Sequence, residues 1–300
     1  MLKKEIKKIM LKRMPTVGDY PTQIKNFGIY RREVGKNKDI CLENCFYHPM
    51  ITMIIQGEKS SLLGTKLYHY KEGDYLITSI DIPTINTIKN ATTKAPFLSL
   101  SLLIDNNLIK ELLIEYPELN KPSQQSFNGI IVSKAEDDLI NAFYRLLKLL
   151  DKPEQISVLA PLIIKEIHYL LLIGPFGEAL ISICMPETRS YHIANTIDWL
   201  KNHFREPIKM EQLANQANMS LSSFYRHFKK VTSLSPLQFQ KQLRLHEARR
   251  LMVSENMTAI QASLKVGYES ATQFNREYKN LFNQTPLQDV LKIRKGSKGK

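Results

Sequence analysis

Hydrophobic positions change their period three times along the 300-residue chain. Between residues 46 and 104 they come in short runs: Ile51-Thr52-Met53-Ile54-Ile55 before Gly57-Glu58, Lys66-Leu67-Tyr68-His69-Tyr70 before Glu72-Gly73-Asp74, and then Tyr75-Leu76-Ile77-Thr78. Short β-rich runs parted by glycine-containing turns predict a compact antiparallel sandwich or barrel. From about residue 105 the spacing becomes helical. Leu139, Phe143, Leu146 and Leu150 share one face, and Ile156, Leu159, Ile163, Ile167 and Leu170 form a second stripe. Pro153 separates the two, which predicts an antiparallel helix pair that either covers the β core or offers a dimer surface. Gly174-Pro175 and Pro186 punctuate the next stretch and place a domain boundary near 186–190.

The last third holds a repeat. Phe224-Tyr225-Arg226-His227-Phe228-Lys229 is echoed fifty positions later by Phe274-Asn275-Arg276-Glu277-Tyr278-Lys279, and Ser235-Pro236 by Thr285-Pro286, which suggests two copies of one supersecondary unit. Leu221, Phe224 and Phe228 fall on one helix face, as do Ala271, Phe274 and Tyr278, so each face is expected to be buried. The opposite faces carry Ser222, Tyr225, Arg226 and Lys229 in the first copy and Thr272, Asn275, Arg276 and Lys279 in the second, side chains suited to base edges and phosphates. Ser220 is a candidate N-cap for the first helix, and Ser270 with Gln273 resembles a capping box for the second. A shorter apolar segment precedes each copy: Met210, Leu213, Ala214 and Ala217 before Asn218-Met219, and Ile260 to Lys265 before Val266-Gly267-Tyr268. Asn218 and Gly267 tolerate the left-handed conformation that ends a helix sharply. The predicted unit is therefore helix, tight turn, helix, the layout whose second helix enters the major groove.

Between the copies, Pro236 to Ser254 reads as one helix, with proline in its first turn and Leu245, Ala248 and Met252 on one face. Its nineteen residues make a rod of roughly 28 Å, against about 34 Å for a turn of B-DNA. Such a rod can hold two recognition helices in successive major grooves of double-stranded DNA. Charge sharpens the picture. Of the net +13, residues 188–300 account for +11, from 19 Lys and Arg against 8 Asp and Glu, while residues 1–187 leave only +2. A positive field concentrated on the repeat is the footprint of a phosphate-binding module.

Ile193 to Pro207, with Ile197-Asp198-Trp199-Leu200 and His203-Phe204, and then Val266-Gly267-Tyr268-Glu269-Ser270, Phe274, Arg276, Tyr278-Lys279 and Thr285-Pro286, resemble the DNA-binding domain of the AraC/XylS family of bacterial transcription regulators over residues 190–292. Ser222, Tyr225, Arg226, Thr272, Asn275 and Arg276 match family positions that face bases. Two departures stand out: Ser263 replaces a small alanine, and Leu234-Ser235 lacks the common glycine before Ser-Pro. Pro49, Gln56-Gly57, Lys59, Gly64, Tyr70, Gly73-Asp74-Tyr75-Leu76 and Asp81-Ile82-Pro83 resemble the cupin-like N-terminal domain of one branch of the family over residues 25–175, which implies effector sensing or dimerisation.

These readings combine into an α+β chain: a tail or lead-in helix over 1–20, a cupin-like barrel with a helical pair over 21–187, and an all-α domain of two helix-turn-helix units over 188–300. The expected function is cytoplasmic, sequence-specific transcription regulation in response to a small-molecule or stress effector, by activation or repression. Its partners are double-stranded DNA, RNA polymerase, an unidentified effector and a second copy of the chain, with no membrane. The DNA-contacting set is Ser220, Ser222, Tyr225, Arg226, Lys229, Ser270, Thr272, Asn275, Arg276 and Lys279. His227 either reaches phosphate or packs at the helix edge. No enzymatic role, cofactor or metal is expected, since His48 and His69 are the only histidines of the β region and make no His-x-His pair. Cys41 and Cys45 read as ordinary thiols or a redox pair. The run Leu170-Leu171-Leu172-Ile173 is too short to cross a bilayer. Alternatives are a cupin-type enzyme with a basic domain, favoured by bound metal and no DNA affinity, and an architectural DNA binder, favoured by footprints without discrete sites.

Overall fold

The computed structural model describes residues 2–34, 40–121 and 127–297, with side chains left out at 40–45 and 295–297. The chain divides into two compact units, Met1–His192 and Ile193–Lys300. The first is β-rich with helices and the second all-helical, so the expected α+β class is present.

In the first unit, helix α1 (Leu2–Arg13) precedes strands β1 (Gly18–Pro21), β2 (Phe27–Arg32), β3 (Ile40–Tyr47), β4 (Met50–Gln56), β5 (Glu58–Leu63), β6 (Lys66–Lys71), β7 (Asp74–Thr78), β8 (Ile82–Lys89) and β9 (Phe97–Leu103). Helix α2 (Asn106–Glu115), strand β10 (Ile130–Lys134) and helices α3 (Asp137–Leu149), α4 (Pro153–Ile173) and α5 (Gly177–Cys184) follow. The strands form two sheets, ordered β1-β2-β9-β4-β7-β10 and β3-β8-β5-β6, with every pairing antiparallel. The short apolar runs predict a β region from 46 to 104. The sheet instead starts at Gly18, and β10 joins its edge by pairing with β7.

One face of the six-stranded sheet packs on helices. Ile29, Ile51, Met53, Ile77, Leu98, Leu100 and Leu102 meet Ile6 and Met10 of α1, Phe143 and Leu146 of α3, and Ile167 and Leu171 of α4 in one apolar cluster. The helical pair therefore covers the β core. The second stripe is only partly inward: Ile163 and Ile167 are buried, but Leu159 is exposed, with Val158, Leu162, Tyr169 and Ile173 beside it. The run Leu170–Ile173 closes a 21-residue helix that is long and apolar enough, by length and composition alone, to span a bilayer. Six residues of that helix are buried within the unit.

The second unit begins within helix α6 (Arg189–His203) and continues with α7 (Met210–Gln216), α8 (Leu221–Thr232), α9 (Pro236–Ser254), α10 (Ala259–Lys265), α11 (Ala271–Phe282) and α12 (Pro286–Ser297). The offset of fifty holds between α8 and α11 but is 49 between α7 and α10, so the second turn is one residue longer. Ser233 and Asn283 end the two long helices in the left-handed conformation, at φ +57° and +56°. Asparagine tolerates this. Serine without the usual glycine costs roughly 1 kcal/mol in steric strain.

Candidate functional site

Helices α8 and α11 bury one side and present the other. Phe224, Phe228, Phe274 and Tyr278 are fully buried, with successive ring centroids 5.6 Å apart in α8 and 5.5 Å in α11. Leu221, expected on the buried face, is exposed, because it opens the helix before the stripe meets a neighbour. Ser222, Arg226, Lys229, Thr272, Asn275, Arg276 and Lys279 are exposed on the other side, and Tyr225 is half-buried with its ring edge against Phe224. The structure thus gathers each predicted set on one helix. Ser220 and Ser270 sit at the helix starts, where their hydroxyls accept from the Ser223 and Gln273 amides. His227 is buried.

The capping box expected at Ser270 is half-formed. Gln273 turns away from the cap and donates to Glu277 Oε1 at 3.2 Å. Complete boxes occur instead at Ser235 with Gln238 and at Thr258 with Gln261. Ser263 fits its buried site by donating its hydroxyl to Ile260 O, 2.8 Å away.

Three polar groupings brace these helices, and none of them is marked by the hydrophobic period or by the repeat. Arg249 of α9 makes a two-pronged pair with Asp289 of α12 at 2.7 and 2.9 Å, and the Tyr278 hydroxyl of α11 donates to the same carboxylate at 2.7 Å. Glu277 of α11 accepts from Lys241 and from the Tyr268 hydroxyl, each at 2.8 Å. Burial pushes the Glu277 carboxyl up, but the hydrogen bonds from Lys241, Tyr268 and Gln273, with the Lys241 charge, outweigh it and hold the group below the usual carboxylate range. Arg244 and Gln240 of α9 bond to backbone carbonyls. The one local signal was polar residues among the apolar positions of the linker helix, where Gln240 is buried beside Phe239 and Leu243.

The four-stranded sheet of the first unit carries a further polar grouping. Ser61 on β5 lies opposite Tyr68 on β6 and Asn86 on β8. Its hydroxyl donates to Asn86 Oδ1 at 2.5 Å and lies 2.6 Å from the Tyr70 hydroxyl. Among the described residues, Tyr68 Oη, Thr84 Oγ1 and Asn86 Nδ2 are buried without a hydrogen-bond partner; Cys45 and Glu43, which lie opposite Thr84 and Asn86 on β3, have side chains outside that set. Burial raises the Tyr68 hydroxyl to about 12 and keeps it a donor. Elsewhere, His48 Nδ1 meets Asp81 Oδ1 at 2.5 Å and His69 Nδ1 meets Ser60 Oγ at 2.7 Å. Among the described residues no group of three or more His, Cys, Asp or Glu side chains is placed to hold a metal ion. The Cys41 and Cys45 side chains lie outside the described residues. Cys184 is buried, its thiol raised to about 11 by desolvation, which keeps it unreactive.

The family model for the N-terminus of AraC-type transcriptional regulators matches residues 26–179, and a helix-turn-helix domain model matches residues 213–289. The transcriptional activator RhaS of Escherichia coli is 28% identical over 101 residues, covering 34% of this chain and 35% of RhaS. The match thus spans about a third of that relative's length. An apo lysine-to-alanine variant of ToxT from Vibrio cholerae superposes with a TM-score of 0.59 at 10% identity over 90% of this chain and 99% of its own. Wild-type ToxT bound to an unsaturated fatty acid gives 0.52 at 12% identity over 88% and 94%. At these identities the likeness to ToxT is one of fold. The resemblance drawn from the motifs of both halves agrees with these matches.

Proposed function

We propose, because this chain belongs to the AraC-type transcriptional regulators, that it binds specific duplex sequences through α8 and α11 in successive major grooves and regulates transcription there. The observation that carries this reading is the repeated two-sided helix, with Arg226 and Lys229 or Arg276 and Lys279 exposed opposite a buried aromatic pair, in the third of the chain that holds +11. Arg226 and Arg276 take the base-reading role, since a guanidinium can donate twice to guanine; such a pair is worth ~1–3 kcal/mol of discrimination. Lys229 and Lys279 hold phosphate. Ser222, Tyr225, Thr272 and Asn275 differ between the copies, so the two half-sites differ in sequence.

Selection of bound duplexes from a random pool gives the site. On that site, Arg276→Ala relaxes sequence preference, whereas Lys279→Ala weakens binding to selected and scrambled duplexes alike and lowers the salt slope by about one. Gel shifts across a salt series separate the two, and equal loss of preference from both substitutions rules out this division of roles.

The N-terminal unit takes the sensing role. Tyr68, Thr84 and Asn86 of the four-stranded sheet, whose buried polar atoms have no partner among the described residues, suit a small polar effector that offers an acceptor to Asn86 Nδ2 and bonds the two hydroxyls. The exposed apolar row of Val158, Leu162, Tyr169 and Ile173 on α4 suits a second copy of the chain. Purified protein tests both: a polar effector raises the melting temperature of wild type but not of Asn86→Leu, and sedimentation at micromolar concentration shows a dimer boundary. RNA polymerase is the further partner implied by regulation, and the cytoplasm the site of action.

A further inference from the structure

We propose that Arg244 sets the spacing between the two half-sites that the protein accepts, by locking the first helix-turn-helix and the second onto one face of the linker helix. The proposal rests on the reading that α8 and α11 enter successive grooves.

Arg244 lies in the middle of α9, and its guanidinium donates to four main-chain carbonyls. Nε donates to Phe204 O at 2.6 Å, Nη2 to Arg205 O at 3.1 Å and Glu206 O at 3.2 Å, and Nη1 to Gly267 O at 2.8 Å. The first three carbonyls follow the C-terminus of α6 and lead into α7, the supporting helix of the first motif. The fourth is in the turn between α10 and α11, inside the second motif. One planar group therefore ties both motifs to the same turn of α9. Gln240, one turn earlier, adds bonds to Phe204 O at 2.9 Å and Glu206 O at 2.8 Å. The guanidinium also stands 5.8 Å over the Tyr268 ring, in the same second turn.

The chemistry fits a positioning role. Carbonyls past a helix end lack intrahelical partners and carry partial negative charge, so a cation there is stabilised. Several acceptors around one planar fork define an orientation, whereas an ammonium on a flexible stem holds one point and leaves rotation free. Arg244 is half-buried and faces inward, away from any phosphate role. Its effect on DNA is the angle and distance it enforces between recognition helices. Inserting one base pair shifts the second half-site by about 3.4 Å and rotates it by roughly 35°. A rigid pair of helices cannot follow this movement without losing one half-site.

The test uses the full chain on the selected duplex and on derivatives with one base pair added or removed between the half-sites. Wild type is expected to lose about 100-fold in affinity on either derivative. Arg244→Lys, which keeps the charge, is expected to lose about tenfold on the selected duplex and less than about tenfold more on the derivatives, a flattened spacing profile. A wild-type profile that is already flat removes the two-groove reading, and the proposal with it. A steep wild-type profile retained by Arg244→Lys overturns the proposal alone. Should Arg244→Lys fail to fold, judged by Trp199 emission, Arg244→Gln, which keeps a planar donor but is too short to span Phe204 O and Gly267 O together, is read in the same way: a flattened profile supports the proposal and a steep one overturns it.

Discussion

Replacing Asp289 by alanine is expected to cost the C-terminal unit about 3–4 kcal/mol of stability. The Asp289 side chain is 6% exposed and binds Arg249 through both oxygens while accepting the Tyr278 hydroxyl. Removing it leaves a cation from α9 and a buried hydroxyl from α11 without their shared acceptor. Breaking a buried pair by deleting one partner typically costs about 3–5 kcal/mol, and a stranded hydroxyl about 1–3. The expected loss falls short of the full sum because Arg249 is 23% exposed and can recover some hydration. Against a typical domain stability of about 5–15 kcal/mol, this is a large share. Trp199 is the only tryptophan in the chain and lies in this unit, so its emission during urea unfolding follows the transition directly. Lys241→Ala is the contrasting case. Its pair with Glu277 has a lysine 50% exposed, where ion pairs contribute about 0–1 kcal/mol. If the two variants lose the same stability, the buried carboxylate is not what joins α9, α11 and α12.

What could be read from sequence follows how far apart the deciding groups lie. Linker helix α9 is bounded at Pro236 and Ser254 as expected, because proline in its first turn and a serine cap fix its start locally. The buried faces of α8 and α11 follow from side chains three and four residues apart. The departures have non-local causes. Strand β1 holds glycine, aspartate and proline in four residues and is extended because it pairs with β2. Strand β10 is five residues inside a helical stretch and exists through β7. The Ser270 box fails because Glu277 competes for Gln273, whereas Ser235 and Thr258 keep their partners. The same logic divides the candidate interface. Its outward side chains are a property of helical period, but the braces that aim them join residues up to forty positions apart, as with Arg249 and Asp289. Periodicity carries no information about such pairs.

The two turns of the repeat should respond unequally to a side chain. Both contain a left-handed residue, Asn218 at φ +52° in the first and Gly267 at φ +89° in the second. A Cβ on Gly267 would stand 2.2 Å from the Arg205 carbonyl oxygen and 3.0 Å from its carbon. Those atoms are backbone, and that oxygen is one of the acceptors bound by Arg244, so no side-chain rotation relieves the contact. Left-handed strain of about 1–2 kcal/mol therefore adds to an overpacking cost of about 1–3. Gly267→Ala is expected to lose about 3 kcal/mol or more in the unfolding monitored by Trp199, and to weaken binding to the selected duplex because α11 starts from this turn. Asn218→Ala carries the conformational strain alone, since a side chain already occupies that position, and should lose about 1 kcal/mol. Equal losses would mean that the turn moves away from Arg205 at little cost. In that case the extra residue in the second turn supplies slack. A loss confined to Gly267 means that this residue lets the second motif pack directly against the end of α6, with α11 aimed from a fixed turn.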